Sequence, residues 1–256
     1  MKRKAKKGYL IVITLLTLVV CTIGAIMNTS FLFGSFHDKI ESWSSNGNIS
    51  ISNEADLDSF KDIQIESDVS DITIIPGDRF HYTTSHTSKI EVSVKVQGDT
   101  LQITTKMPRQ INGGNNSASV EVMVPEGTKL GSVTGTLDVG DFVANNLEID
   151  CIDIRSDVGD IKIDGCKGSN LTVNSDVGDI DLKAIDYVTV NGTSDVGDIE
   201  VQSAEDLQDA YVDTSADVGN VTFYHNKHKN SYHQEHNSGC DRSICLKSSV
   251  GDVSVE

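Results

Sequence analysis

From residue 48 onward, apolar and polar residues alternate in short runs, as in Asp160-Ile161-Lys162-Ile163-Asp164 and Asn170-Leu171-Thr172-Val173-Asn174. A period of two belongs to a half-buried strand and not to a helix. Turn-forming residues separate the runs, Gly165-Cys166-Lys167-Gly168 on one side and Asp176-Val177-Gly178-Asp179 on the other. The second kind of turn recurs: LDVGDF at 137–142, SDVGDI at 156–161, 175–180 and 194–199, ADVGNV at 216–221 and SSVGDV at 248–253. Its glycines, Gly140, Gly159, Gly178, Gly197, Gly219 and Gly251, are spaced 19, 19, 19, 22 and 32 residues apart. A short fixed period means one supersecondary unit stacked on itself. Nineteen residues cannot hold a strand, a crossover helix and a return strand. The expected fold is therefore all-β, a β-solenoid of about 19-residue coils stacked about 4.8 Å apart.

At the corners the glycines are expected to take φ > 0, which glycine alone adopts without steric strain. Stacking places Asp157, Asp176 and Asp195 in one row and Asp160, Asp179 and Asp198 in another, with neighbours about 5 Å apart. Like charges at that spacing repel unless calcium, solvent or turn amides relieve them. The glycine-rich nonapeptide of calcium-binding solenoids is absent. The favoured role is capping, with each carboxylate accepting hydrogen bonds from the N–H groups of its own turn. Val139, Val158, Val177, Val196, Val218 and Val250 are expected as an apolar column inside the stack, with Ile161, Ile180, Ile199 and Val221 as the next column.

Residues 131–256 read as regular coils and 48–130 as wider, less regular ones. The latter contain SDVSDI at 67–72 and two alternating runs around Gln97-Gly98-Asp99, a hairpin signal. The last interval exceeds the period by 13 residues, and this insertion, 225–245, holds His225, His228, His233, His236, Cys240 and Cys245. Imidazole and thiolate are ligands that zinc or copper prefers, so one ion site is a candidate reading. A mobile polar loop rich in histidine is the alternative, as is a disulfide between Cys240 and Cys245. The insertion is expected to be an excursion outside the stack. Cys166 occupies the coil position of Ile185 and Ala204 and reads as a small core residue. No cofactor is expected, zinc at the insertion and calcium between the aspartate rows being the only openings.

Composition adds location. Gly8–Met27 is a 20-residue uncharged stretch, long enough as a helix to cross about 30 Å of hydrocarbon. The heptapeptide MKRKAKK before it, with five of the 21 Lys and Arg residues, is expected to stay cytoplasmic. This predicts an uncleaved signal anchor at 8–27, a tether at 28–47 and an extracellular domain at 48–256. A cleaved signal peptide is the competing reading. Phe31, Phe33, Phe36 and Trp43 of the tether suit the membrane interface or the open end of the solenoid. Residues 8–256 carry 16 basic against 38 acidic side chains, a formal charge of −22. Nucleic acid and anionic headgroups are poor partners for such a surface. Cationic peptides and basic envelope proteins are favourable ones.

The hairpin ending in GDTLQI, the segment VMVPEGTKL and the repeated SDVGDI coils resemble the bacterial domain-of-unknown-function family labelled "putative adhesins". The resemblance covers residues 48–256. It implies a β-solenoid ectodomain without an assigned reaction. Some members are membrane-anchored and encoded with Lia-type envelope stress systems of Gram-positive bacteria. The residues give no sign of an enzyme. The carboxylates are repeated from coil to coil, Arg155 is the only arginine between Gly131 and Gly239, and catalysis needs one asymmetric site. The expected function is a non-catalytic binding or sensing module at the cell envelope. A structural or adhesive spacer and a metal-binding envelope protein are the other classes.

Overall fold

The alternating runs become strands because every second residue finds a shared apolar interior while its neighbours face water. The computed structural model describes residues 50–108, 116–236 and 240–256. Among these there is no helix long and apolar enough to cross a membrane. The anchor expected at 8–27 and its tether lie outside the described residues.

The strands are β1 (Ser50–Asp56), β2 (Asp62–Ser67), β3 (Asp71–Gly77), β4 (His81–Thr87), β5 (Glu91–Gln97), β6 (Thr100–Lys106), β7 (Ala118–Pro125), β8 (Lys129–Val139), β9 (Phe142–Asn145) and β10 (Glu148–Val158). They continue as β11 (Ile161–Asp164), β12 (Lys167–Val177), β13 (Ile180–Val196), β14 (Ile199–Ser203), β15 (Tyr211–Val218), β16 (Val221–Phe223), β17 (Asn226–His228), β18 (Ser231–Gln234), β19 (Ser243–Val250) and β20 (Val253–Val255).

A regular coil is a long strand on one face, the Val-Gly corner, and a short strand on the opposite face, as in β10 followed by β11. Parallel pairing sets identical positions side by side: Ile152 lies between Val133 and Leu171, and Val158 between Val139 and Val177. One face runs β5-β6-β2-β8-β10-β12-β13-β19-β15-β18. The other runs β1-β4-β7-β3-β9-β11-β13-β14-β20-β16-β17. Strand β13 bends and serves both, through Ile180–Leu182 on one face and Thr189–Val196 on the other. Between the faces lies one continuous apolar interior, including Ile152, Ile154, Ile161, Ile163, Leu171, Val173, Ile180 and Leu182. Each such side chain contributes about 1.5–3 kcal/mol by leaving water.

The coils do not stack in chain order. At one end β2/β3 sits between β6/β7 and β8/β9. At the other, β19/β20 sits between β13/β14 and β15/β16. The expected column of Ile161, Ile180, Ile199 and Val221 is therefore interrupted, with Val253 between Ile199 and Val221. This explains the irregular intervals. The three extra residues between Gly197 and Gly219 carry the chain over a layer filled later, and the longer one returns it.

The segment 50–130 also differs from a run of wide coils. Strands β2/β3 and β6/β7 form coils, whereas β1, β4 and β5 pair antiparallel beyond them. The Gly98-Asp99 connection closes the β5–β6 hairpin. Antiparallel strands at both ends cover edges that would otherwise template association.

Candidate functional site

Each corner is built from columns that run along the stack. Innermost are serines: Ser156, Ser175, Ser194 and Ser248 are buried. The hydroxyl of Ser175 donates to the Gly159 carbonyl at 3.4 Å, Ser194 to Gly178 at 3.3 Å and Ser248 to Gly197 at 3.0 Å. Ser156 Oγ finds no partner, and Leu137 and Ala216 hold the same buried position at the other two corners without a hydroxyl. Valine, two residues on, is turned outward at every corner, against the expected interior column. Val139, Val158, Val196, Val218 and Val250 are 40–65 % exposed, and Val177 is half-buried.

The six corner glycines have φ between 139° and 159°. A Cβ on Gly159, Gly178 or Gly197 would overlap the carbonyl oxygen of the glycine one coil away. Conformation and close approach therefore exclude a side chain together.

The aspartate after each glycine forms a ladder. Asp71 Oδ1 accepts the amide of Asp141 (3.0 Å), Asp141 that of Asp160 (2.9 Å), and Asp160 that of Asp179 (3.0 Å). Asp179 then accepts from Asp198 (2.8 Å), Asp198 from Asp252 (2.7 Å) and Asp252 from Asn220 (2.8 Å). The carboxylates cap the next coil rather than their own turn, which ties neighbouring layers by charge-assisted bonds. Asn220 stands where the ladder ends, and its side-chain amide donates to Asp252 Oδ1 at 3.3 Å, which a carboxylate could not do. Asp71, Asp141, Asp252 and Asn220 were not singled out by the sequence, although three of them follow the same motif.

Burial pushes the Asp141 and Asp179 carboxyls above their usual range, against the opposing effect of the amide bonds from Asp160 and Asp198. A raised carboxyl is protonated in the folded state before it is in the unfolded state, so stability rises as pH falls through this window. The gain is complete only below the ordinary value of 3.8. Glu148, held low by the Lys129 ammonium, and Asp206, held low by the Gln208 amide, lose their contribution only below the ordinary values. The melting temperature is therefore expected to rise as pH falls from neutrality toward the ordinary carboxyl range, and Asp179→Asn to flatten that rise. A monotonic fall on acidification refutes the assignment.

In the outer row Arg155 replaces turn amides as partner. Its Nη2 bonds both oxygens of Asp176 at 2.9 and 3.1 Å, and its Nε lies 3.6 Å from Asp157. Asp195 is exposed.

The insertion is not an excursion. β17 pairs with β16 and β18 with β15, and Tyr232 stacks on Phe223 with ring centroids 4.4 Å apart. Gln234 Nε2 lies 2.8–3.0 Å from the carbonyls of Leu207, Gln208 and Ala210. Its histidines go to separate partners. His225 reaches Glu256 at 2.9 Å, His228 packs on Tyr232, and His233 lies 3.0 Å from Glu235 and 3.8 Å from Asp213. His236 is exposed. Among the described residues no group of three or more His, Cys, Asp or Glu side chains is gathered to hold a metal ion. Cys240 and Cys245 are free thiols, contrary to the disulfide reading. Cys240 packs against the interior, whereas Cys245 lies between the inward Ile244 and Leu246 and so faces the other way. Cys166 is buried, and burial pushes its thiol up to about 11.

The family model described as Toastrack DUF4097 matches residues 60–203 and 140–256. The chain belongs to that family. Its two Toastrack matches overlap across the regular coils, where one repeat can stand for another. Solved structures similar to this Toastrack chain include a "putative cell adhesion protein" from Clostridium sporogenes, 14 % identical, covering 82 % of this chain and 99 % of its own, at a TM-score of 0.49. Another is a "putative adhesin" from Bacteroides fragilis, 15 % identical, with 81 % and 97 % covered and a TM-score of 0.45. A third, a "putative lipid binding protein" from Parabacteroides distasonis, is 13 % identical, with 82 % and 98 % covered and a TM-score of 0.32. No curated protein matches the chain.

Proposed function

We propose that this Toastrack domain is a non-catalytic binding or sensing module displayed on the outer side of a bacterial cell membrane by a single N-terminal anchor. The observation that carries the proposal is the regular presentation of carboxylates along one edge of the stack, Asp157, Asp176 and Asp195 outside and Asp141, Asp160, Asp179, Asp198 and Asp252 in the ladder. Recognition by such an edge adds many weak contacts along the coils. The acidic field favours cationic peptides or basic envelope proteins and speeds their encounter. A link to envelope stress of the Lia type is part of the same reading.

Immobilised oligolysine is expected to retain the detergent-solubilised full chain at low salt and release it at about 0.5 M salt, where the screening length falls below about 5 Å. Absence of retention, or retention indifferent to salt, overturns the proposal and leaves the spacer role.

A further inference from the structure

The outward valines are concentrated in one place. Among the described residues six large apolar side chains stand exposed, and five of them, Val139, Val158, Val196, Val250 and Val218, belong to the corner column. Parallel pairing sets the column in the order Val139, Val158, Val177, Val196, Val250, Val218 without a gap. At about 4.8 Å per layer the ridge is about 24 Å long. Carboxylates border it on both sides, Asp138, Asp157, Asp176, Asp195 and Asp217 on one and the ladder aspartates on the other. Arg155 offsets part of the first row at Asp157 and Asp176.

We infer that the valine ridge docks a cationic amphipathic helix lying along the stack. This rests on the reading of the domain as a module for cationic ligands and adds the contact line and the shape of the ligand. An aligned exposed apolar strip is uncommon on a soluble surface and marks interaction. A second copy is disfavoured as occupant because its ridge brings the same carboxylates, which repel at close range. A helix offers one apolar side chain per turn every about 5.4 Å, close to the layer spacing, whereas a strand offers one on a given face every about 6.6 Å. A helix of about 16–18 residues spans the ridge. Lysine or arginine on both sides of its apolar stripe then faces the two carboxylate rows, so apolar area and charge are matched at once.

The test uses the full chain in phosphatidylcholine nanodiscs, with protein-free discs as reference. One probe is a fluorescent leucine–lysine peptide of about 17 residues with leucine along one helical stripe. The other has the same composition scrambled to abolish the stripe. The striped peptide is expected to bind at least about tenfold tighter than the scrambled one. The Val158→Thr/Val196→Thr/Val250→Thr variant should lose that advantage while keeping its melting temperature and its affinity for the scrambled peptide. Equal, salt-sensitive affinity for both peptides overturns the ridge and spares the acidic module. Binding of neither overturns both. Self-association that disappears in the valine variant assigns the ridge to a second copy and also overturns the inference. The comparison of the two peptides decides the matter even if the variant fails to fold.

Discussion

Replacing Gly178 by alanine is expected to cost the domain about 3 kcal/mol or more and to lower its melting temperature by about 6–12 °C. Two independent constraints act on this position. Its φ of 149° is strained for any L side chain, and an added Cβ would overlap the Gly159 carbonyl oxygen. Neither can relax alone, because the Gly178 amide is held by the Val196 carbonyl at 3.0 Å and the next residue's amide by Asp160 at 3.0 Å. Relief requires spreading two layers, which breaks corner bonds in both. Gly98 supplies the control. Its φ is also positive, at 65°, but nothing lies near its Cβ direction, so Gly98→Ala should cost only about 1 kcal/mol. Equal melting temperatures for the two variants refute the stacked-glycine account.

Deleting residues 226–242 and joining the flanks with a short turn is expected to destabilise the domain by about 3 kcal/mol or more and to make it associate. The deletion uncovers the outer edges of β15 and β16 and the ring of Phe223, all now covered by β17 and β18. It also removes Gln234, whose amide holds the turn carbonyls of Leu207, Gln208 and Ala210. Tyr232→Ala should reproduce part of the loss, about 2 kcal/mol, with the backbone cover intact. Unchanged melting and sedimentation in the deletion variant restore the reading of the insertion as a loose excursion.

The period, the glycine corners and the inward isoleucines were legible because each repeat states them again in the same words. The orientation of the corner valines was not. Hydrophobicity alone assigns valine to the interior, but the inner place at each corner goes to the residue two before it, whether Leu137, Ser175 or Ala216. The aspartates were recognised as caps, but a single repeat cannot reveal that Asp160 caps Asp179 rather than its own turn. The spacing of Cys240 and Cys245 permits a disulfide, and only the strand register shows that Ile244 and Leu246 take the inner positions. The order of the coils was hidden by the repetition itself, since every coil carries the same edge.

That sameness has a consequence for how the chain is made. The coil of β19 and β20 is synthesised after both coils that enclose it. While it is still missing, the nascent β15/β16 coil faces β13/β14, whose SDVGDI edge differs little from the SSVGDV edge it finally meets. Vectorial synthesis thus offers a wrong neighbour that is chemically almost equivalent to the right one. Maturation requires that pairing to be withheld or undone before the later coil can slot between the two, which puts the slow step of assembly at this end of the stack.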